Sequence, residues 1–111
     1  MTDGPVVYHG VRTPGRMDVW RIHADDRRDL LSPRMDLRLC APAGFDWGGD
    51  GGGERQLALA LLADAIDDAT AVALHDIYAV EVVSALGSDR WELSSVDVVE
   101  WASRTMELQR R

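Results

Sequence analysis

Three sets of residues could carry chemistry, and each also has a plain structural reading. The first is His75-Asp76, a base beside a carboxylate, which with Ser84, Ser88 or Cys40 as nucleophile would make a small hydrolase. On a helix, however, sequence neighbours point about a quarter-turn apart, so the two form no hydrogen-bonded dyad by themselves. His9, His23 and His75 share no H-x-x-x-H or H-E-x-x-H spacing, so no metal site is expected.

The second set surrounds a glycine run, with five glycines among positions 48–53 ahead of an apolar helical stretch. Amide groups at a helix start can hold an anion, and the aromatics before it can stack on a planar ligand. The candidate ligand-binding residues are Phe45, Trp47, Gly48, Gly51, Gly53, Arg55 and Gln56. Against an anion cradle stand Asp50 and Glu54, which would repel the ligand, and the lack of a phosphate-loop lysine or a clean G-x-G-x-x-G. The structural reading is that glycines at positive φ turn the strand layer onto the helix while the aromatics plug the core. The third set is acidic: Asp64, Asp67, Asp68 and Asp76 could form a surface that occupies a basic protein, or could be helix caps and solvated positions.

Composition narrows the field. Nineteen acidic residues against 12 basic ones give a net charge of −7, the wrong sign for gripping phosphate backbones, so no direct nucleic-acid binding is expected. All the basic residues are arginine, which removes lysine Schiff bases and phosphate-loop lysines together. Cys40 stands alone, excluding an internal disulfide and multi-cysteine metal sites; it reads as a small buried apolar residue. No apolar run approaches 18 residues, and the opening M-T-D-G-P-V-V has no basic segment followed by an apolar one. A soluble cytoplasmic protein without membrane contact or cofactor is the expectation.

The elements that must position these residues follow from periodicity. Pro5–Arg12 is rich in β-branched and aromatic residues and ends at the turn signal T-P-G. Beyond it, M-D-V-W-R-I alternates, with Met17, Val19 and Arg21 on one face and Asp18, Trp20 and Ile22 on the other, so the two segments read as a hairpin. Residues 24–34 read as a turn with a short edge strand, and Met35–Cys40 alternates as a further strand. A helix buried on most sides is predicted from Glu54 to Ile66. A second is predicted from Ala69 to Leu86, capped by Asp67-Asp68 and closed by Gly87. Trp91–Leu93 is extended, and Ser94 with Asp97 forms a capping box for a third helix running to about Leu108. Its inward face is Val98, Trp101, Ala102, Thr105 and Leu108. The fold class is therefore α+β: an N-terminal antiparallel sheet of three or four strands packed on three C-terminal helices. The 111 residues read as a single domain, with a β-rich half (1–43), a glycine-rich junction (44–53) and a helical half (54–111).

The string Gly44-Phe45-Asp46-Trp47-Gly48, continued by Gly51, Gly53 and Gln56 to Leu62, resembles an uncharacterised family of short proteins from bacteria, archaea and their viruses and plasmids. The resemblance extends more weakly to Tyr8-x-Gly10-x-Arg12 and to Trp91-x-Leu93 with Trp101. It implies a shared fold and transfers no catalytic residue. The chain departs from the pattern at Asp50, Glu54 and Arg55, where smaller or uncharged residues are usual, which further weakens an anion cradle. The leading functional expectation is a non-enzymatic protein-interaction domain, associated with a mobile element and acidic enough to occupy a host protein's basic surface. The alternatives are a small-ligand or anion-binding domain at the glycine loop and a small hydrolase; homo-oligomerisation is left open.

Overall fold

The β1–β2 hairpin is the first element, and its geometry follows from Pro14-Gly15. Proline presets its own φ and Gly15 takes φ 78°, so Thr13 and Arg16 face each other across a two-residue turn. The structure, a computed structural model, describes residues 4–87 and 89–110. In it β1 (Val7–Thr13), β2 (Arg16–Ile22), β3 (Arg28–Leu30) and β4 (Arg90–Ser94) form an antiparallel sheet in the order β3-β2-β1-β4. The helices are α1 (Gly52–Ala65), α2 (Asp68–Glu81) and α3 (Ser95–Gln109). The α+β class, the four antiparallel strands and the three helices agree with the expectation from sequence. None of the described helices is long and apolar enough to cross a membrane.

One face of the sheet meets the helices. Tyr8 and Val19 are buried on that side, and Met17 and Leu93 pack against the core. Helix α1 is enclosed all round: every residue from Leu57 to Leu62 is 0 % exposed. That is the wide apolar belt of its sequence made physical. Helix α3 joins through Val98, Trp101 and Ala102, with Trp101 edge-on to Tyr78 at 4.7 Å and its indole N–H donating to Glu81 at 3.0 Å. Its start is the expected capping box, Ser94 accepting from the Asp97 amide at 3.1 Å.

Several elements depart from the expectation. Met35–Cys40 is a turn and irregular chain, not a strand; Met35 and Leu39 are exposed and only Leu37 packs against the core. Its backbone groups bond instead to the side chain of Gln56, which leaves them unavailable to a ladder. The fourth strand is β4, which returns after the helices to pair with β1, so strands and helices interleave along the chain. Helix α2 ends at Glu81 rather than at Leu86. A tighter turn, Val83–Ala85, follows, in which the Val83 carbonyl accepts from Gly48 as well as from Leu86. The valine-rich sequence there offers little helix propensity to oppose this. Leu108, expected inward, is 67 % exposed because α3 outruns the core, and Cys40 is only half-buried.

The glycine junction works differently from the expectation too. Of its glycines, Gly44 and Gly48 take positive φ, whereas Gly51 sits at φ −92° as the N-cap of α1. Gly53 is required for space: a Cβ there would lie 2.6 Å from the Asp46 Cβ and 2.9 Å from its backbone nitrogen. Gly53→Ala should therefore cost about 2 kcal/mol by overpacking against backbone. Gly51→Ala should cost under about 1 kcal/mol. Chemical denaturation of the two variants checks this, and equal losses would contradict it.

Candidate functional site

A groove of about 690 Å³ runs between the β1–β2 hairpin tip and the segment 41–46. Met17, Pro33, Ala41, Ala43 and Phe45 supply apolar walls, and Arg12, Arg16 and Asp46 supply charge. Arg12 is held firmly. Its Nη2 donates to Asp46 Oδ1 at 3.2 Å and to the Trp47 carbonyl at 3.3 Å, and its guanidinium lies 5.4 Å above the Trp47 ring. Asp46 also accepts from the Trp47 amide at 2.8 Å, so one carboxylate orders both the arginine and the chain. Arg16, by contrast, is two-thirds exposed and pairs with the partly exposed Asp18 at 3.3 Å, an ion pair of little strength.

The expected ligand-binding residues divide among different jobs. Phe45 and Gly53 line the groove. Trp47 is 2 % exposed and packs edge-on against Trp91, 5.5 Å between centroids, so it belongs to the core. Trp91 in turn lies across Gly10, where a Cβ would fall 2.2 Å from the indole. Gly48 donates to the Val83 carbonyl at 3.1 Å. Arg55 is half-buried and does not line the groove. At the start of α1 the Glu54 carboxylate, on a residue only 4 % exposed, accepts from the Gly51 amide at 3.0 Å. The protein's own anion thus sits where a bound one would.

Gln56 is fully buried and uses all of its hydrogen-bonding capacity. Its Oε1 accepts from Cys40 and Ala41 at 2.8 and 3.1 Å, and its Nε2 donates to the carbonyls of Pro33 and Arg38 at 2.6 and 3.1 Å. It shapes the groove wall from behind without entering it.

Three of the four acidic candidates accept hydrogen bonds from within the chain. Asp64 accepts from the Tyr8 hydroxyl at 2.7 Å and from Arg21 at 2.9 Å, and Arg21 also reaches Asp29 at 2.9 Å. Asp67 caps α2 by accepting from the Thr70 amide at 2.7 Å, and hydrogen bonding from the Thr70 side chain, then from that amide, holds its carboxyl below the usual range. Asp68 receives both Nη groups of Arg34 at 3.1 Å, while Asp36 takes the rest of that guanidinium. Asp76 is exposed.

The hydrolase candidates lie apart in role. His75 is 4 % exposed, and its Nδ1 sits 3.1 and 3.0 Å from the carbonyls of Ala71 and Val72. Both neighbours are acceptors, so Nδ1 carries the proton. Its Nε2 is 3.5 Å from Asp76. The Ser84 hydroxyl donates to the Val80 carbonyl, and Ser88 lies outside the described residues. Among the described residues, no three His, Cys, Asp or Glu side chains are grouped to hold a metal ion. Arg12, Arg16 and Met17 were missed as groove residues by sequence reasoning. Their signal was the two-residue turn, which brings both strand ends to one place.

Residues 8–104 match a family of unknown function (DUF6166), and the chain belongs to that family. No curated protein and no solved structure matches the chain.

Two outcomes are expected from this geometry. Gln56→Ala strands four backbone groups and should cost about 3 kcal/mol or more in denaturation, with Gln56→Glu failing too because an oxygen then faces two carbonyls. A stability close to that of the parent would contradict the role. Burial, and then the bond to Asp64, push the Tyr8 phenol far above its ordinary value, and burial does the same for Tyr78. A raised folded pKa stabilises fully below the unfolded value, about 10, and is lost above it. Tyrosinate absorbance should therefore rise together with loss of the circular-dichroism signal above about pH 10. Tyrosinate in a still-folded chain would contradict this.

Proposed function

We propose that the chain is a non-enzymatic protein-interaction domain whose groove grips an extended partner segment carrying acidic and apolar side chains. The observation that carries this reading is the pairing of apolar walls with two guanidiniums in a protein of net charge −7. Concave sites that bind are mostly apolar, with a few placed polar groups and volumes of roughly 300–1,000 Å³. Arg12 is pre-oriented by Asp46 and Trp47, so little conformational freedom is lost when it meets a carboxylate. Arg16 can exchange its weak surface pair for a partner's acid. Salt should weaken the interaction through both.

The rival expectation, an acidic surface covering a basic partner, draws less support, because Asp64, Asp67 and Asp68 are already engaged within the chain. An anion at the start of α1 is likewise less favoured, with Glu54 in that position. Selection of displayed peptides on the immobilised full chain separates these readings. Enrichment of acidic residues flanked by apolar ones is expected, lost in Arg16→Glu, whose exposed site leaves folding intact. Enrichment of basic segments, or none, would overturn the proposal.

A further inference from the structure

Strand β2 is only half covered on the side away from β1. There β3 pairs with Trp20, Arg21 and Ile22, and one more bond runs from the Leu31 amide to the Val19 carbonyl at 2.8 Å. Backbone groups along a strand point alternately to its two sides. Val19 and His23 make their bonds toward β3, so Met17 turns its N–H and C=O the same way. Among the described residues neither group has a partner. The chain cannot supply one by continuing the ladder. Carried on in the same register, Pro33 would stand opposite Met17. It has no N–H to donate, and its C=O accepts from Gln56 at 2.6 Å. Met17 and Pro33 instead stand on the walls of the groove, which opens where the ladder stops.

Resting on the reading of the groove as a peptide site, we propose that the partner segment binds as an added strand, in the lane that β3 vacates. It runs antiparallel to β2, as the other pairs of this sheet do. One partner residue exchanges two backbone hydrogen bonds with Met17. Its side chain shares the face of Met17 and meets the apolar walls at Phe45 and Ala41, so this residue is apolar. The residue after it stands opposite Arg16 on the other face and is acidic, taking over the guanidinium that Asp18 holds weakly. The residue before it stands opposite Asp18, where a second carboxylate would be repelled. The motif recognised is therefore an apolar residue followed by an acidic one, in that order along an extended chain. Main-chain bonds supply affinity, and the two side chains supply selection.

Nuclear magnetic resonance on the isotope-labelled full chain tests this, with the blocked peptide acetyl-Thr-Val-Leu-Glu-Val-Thr-amide as probe. In the free chain the Met17 amide should exchange with solvent faster than those of Asp18 and Trp20, which point to β1. Adding the peptide should protect it. Methylating the backbone nitrogen of the peptide's leucine should weaken binding about tenfold or more, because the Met17 carbonyl then loses its donor. Changing its glutamate to glutamine should weaken binding about threefold. Binding that ignores the methyl group and leaves the Met17 amide unprotected would overturn the added strand while the groove reading stands. A Met17 amide already protected in the free chain would overturn it as well. Absence of binding by the probe would do the same, and enrichment among displayed peptides then decides the groove reading on its own.

Discussion

A single buried carboxamide decides the shape of the region that matters most. Met35–Cys40 has an alternating sequence fit for a strand, yet β3 already lies beside β2 and, among the described residues, no further strand pairs there. The backbone polar groups of segment 33–41 must still be satisfied where they are buried, and Gln56, projecting from the most enclosed helix, satisfies four of them. Because α1 is packed on all sides, the anchor cannot shift, and the loop it holds becomes a fixed wall. The groove, the position of Phe45 and the close approach of Gly52 and Gly53 to the chain before them all follow from that anchoring.

The same economy governs charge. The chain is strongly acidic, but its carboxylates near the sheet and helix starts are matched locally: Asp64 by Tyr8 and Arg21, Asp68 by Arg34, Asp46 by Arg12, Glu54 by a backbone amide. Each arginine with two acidic neighbours bridges elements distant in sequence, as Arg21 does between β3 and α1. Arginine suits this role, since its planar fork of donors serves two carboxylates at once. The net charge of the sequence therefore overstates how much negative surface any one patch presents.

The elements read correctly from sequence were those whose signals are local: the Pro14-Gly15 turn, the Asp67 cap, the Ser94–Asp97 box and the all-round apolar stretch of α1. What escaped depends on distant partners. Met35–Cys40 has a strand's alternation but finds Gln56 instead of a neighbouring strand. The end of α2 is set by Gly48, 35 residues earlier in the chain than Val83, whose carbonyl it claims. Of the ligand-binding candidates named from sequence, Phe45 and Gly53 line the groove. Arg12 and Arg16 join them only when the hairpin tip is folded over segment 41–46. Gln56 was picked out as a binding residue, and its spacing from the loop gave no sign that it would be consumed inside the protein.

The pairing of β1 with β4 joins residues as far apart as Val7 and Ser94, 87 positions along the chain. Closing so long a loop costs entropy before the contact repays it, so this ladder belongs to the late part of folding. The β1–β2 hairpin and the α1–α2 pair are local and form first. During synthesis, β1 then waits with one edge unpaired until residues 90–94 arrive. Over that interval Gly10 lacks the indole of Trp91 that later lies across it, and an exposed strand edge stands open to other chains. The last strand to be made thus completes the first.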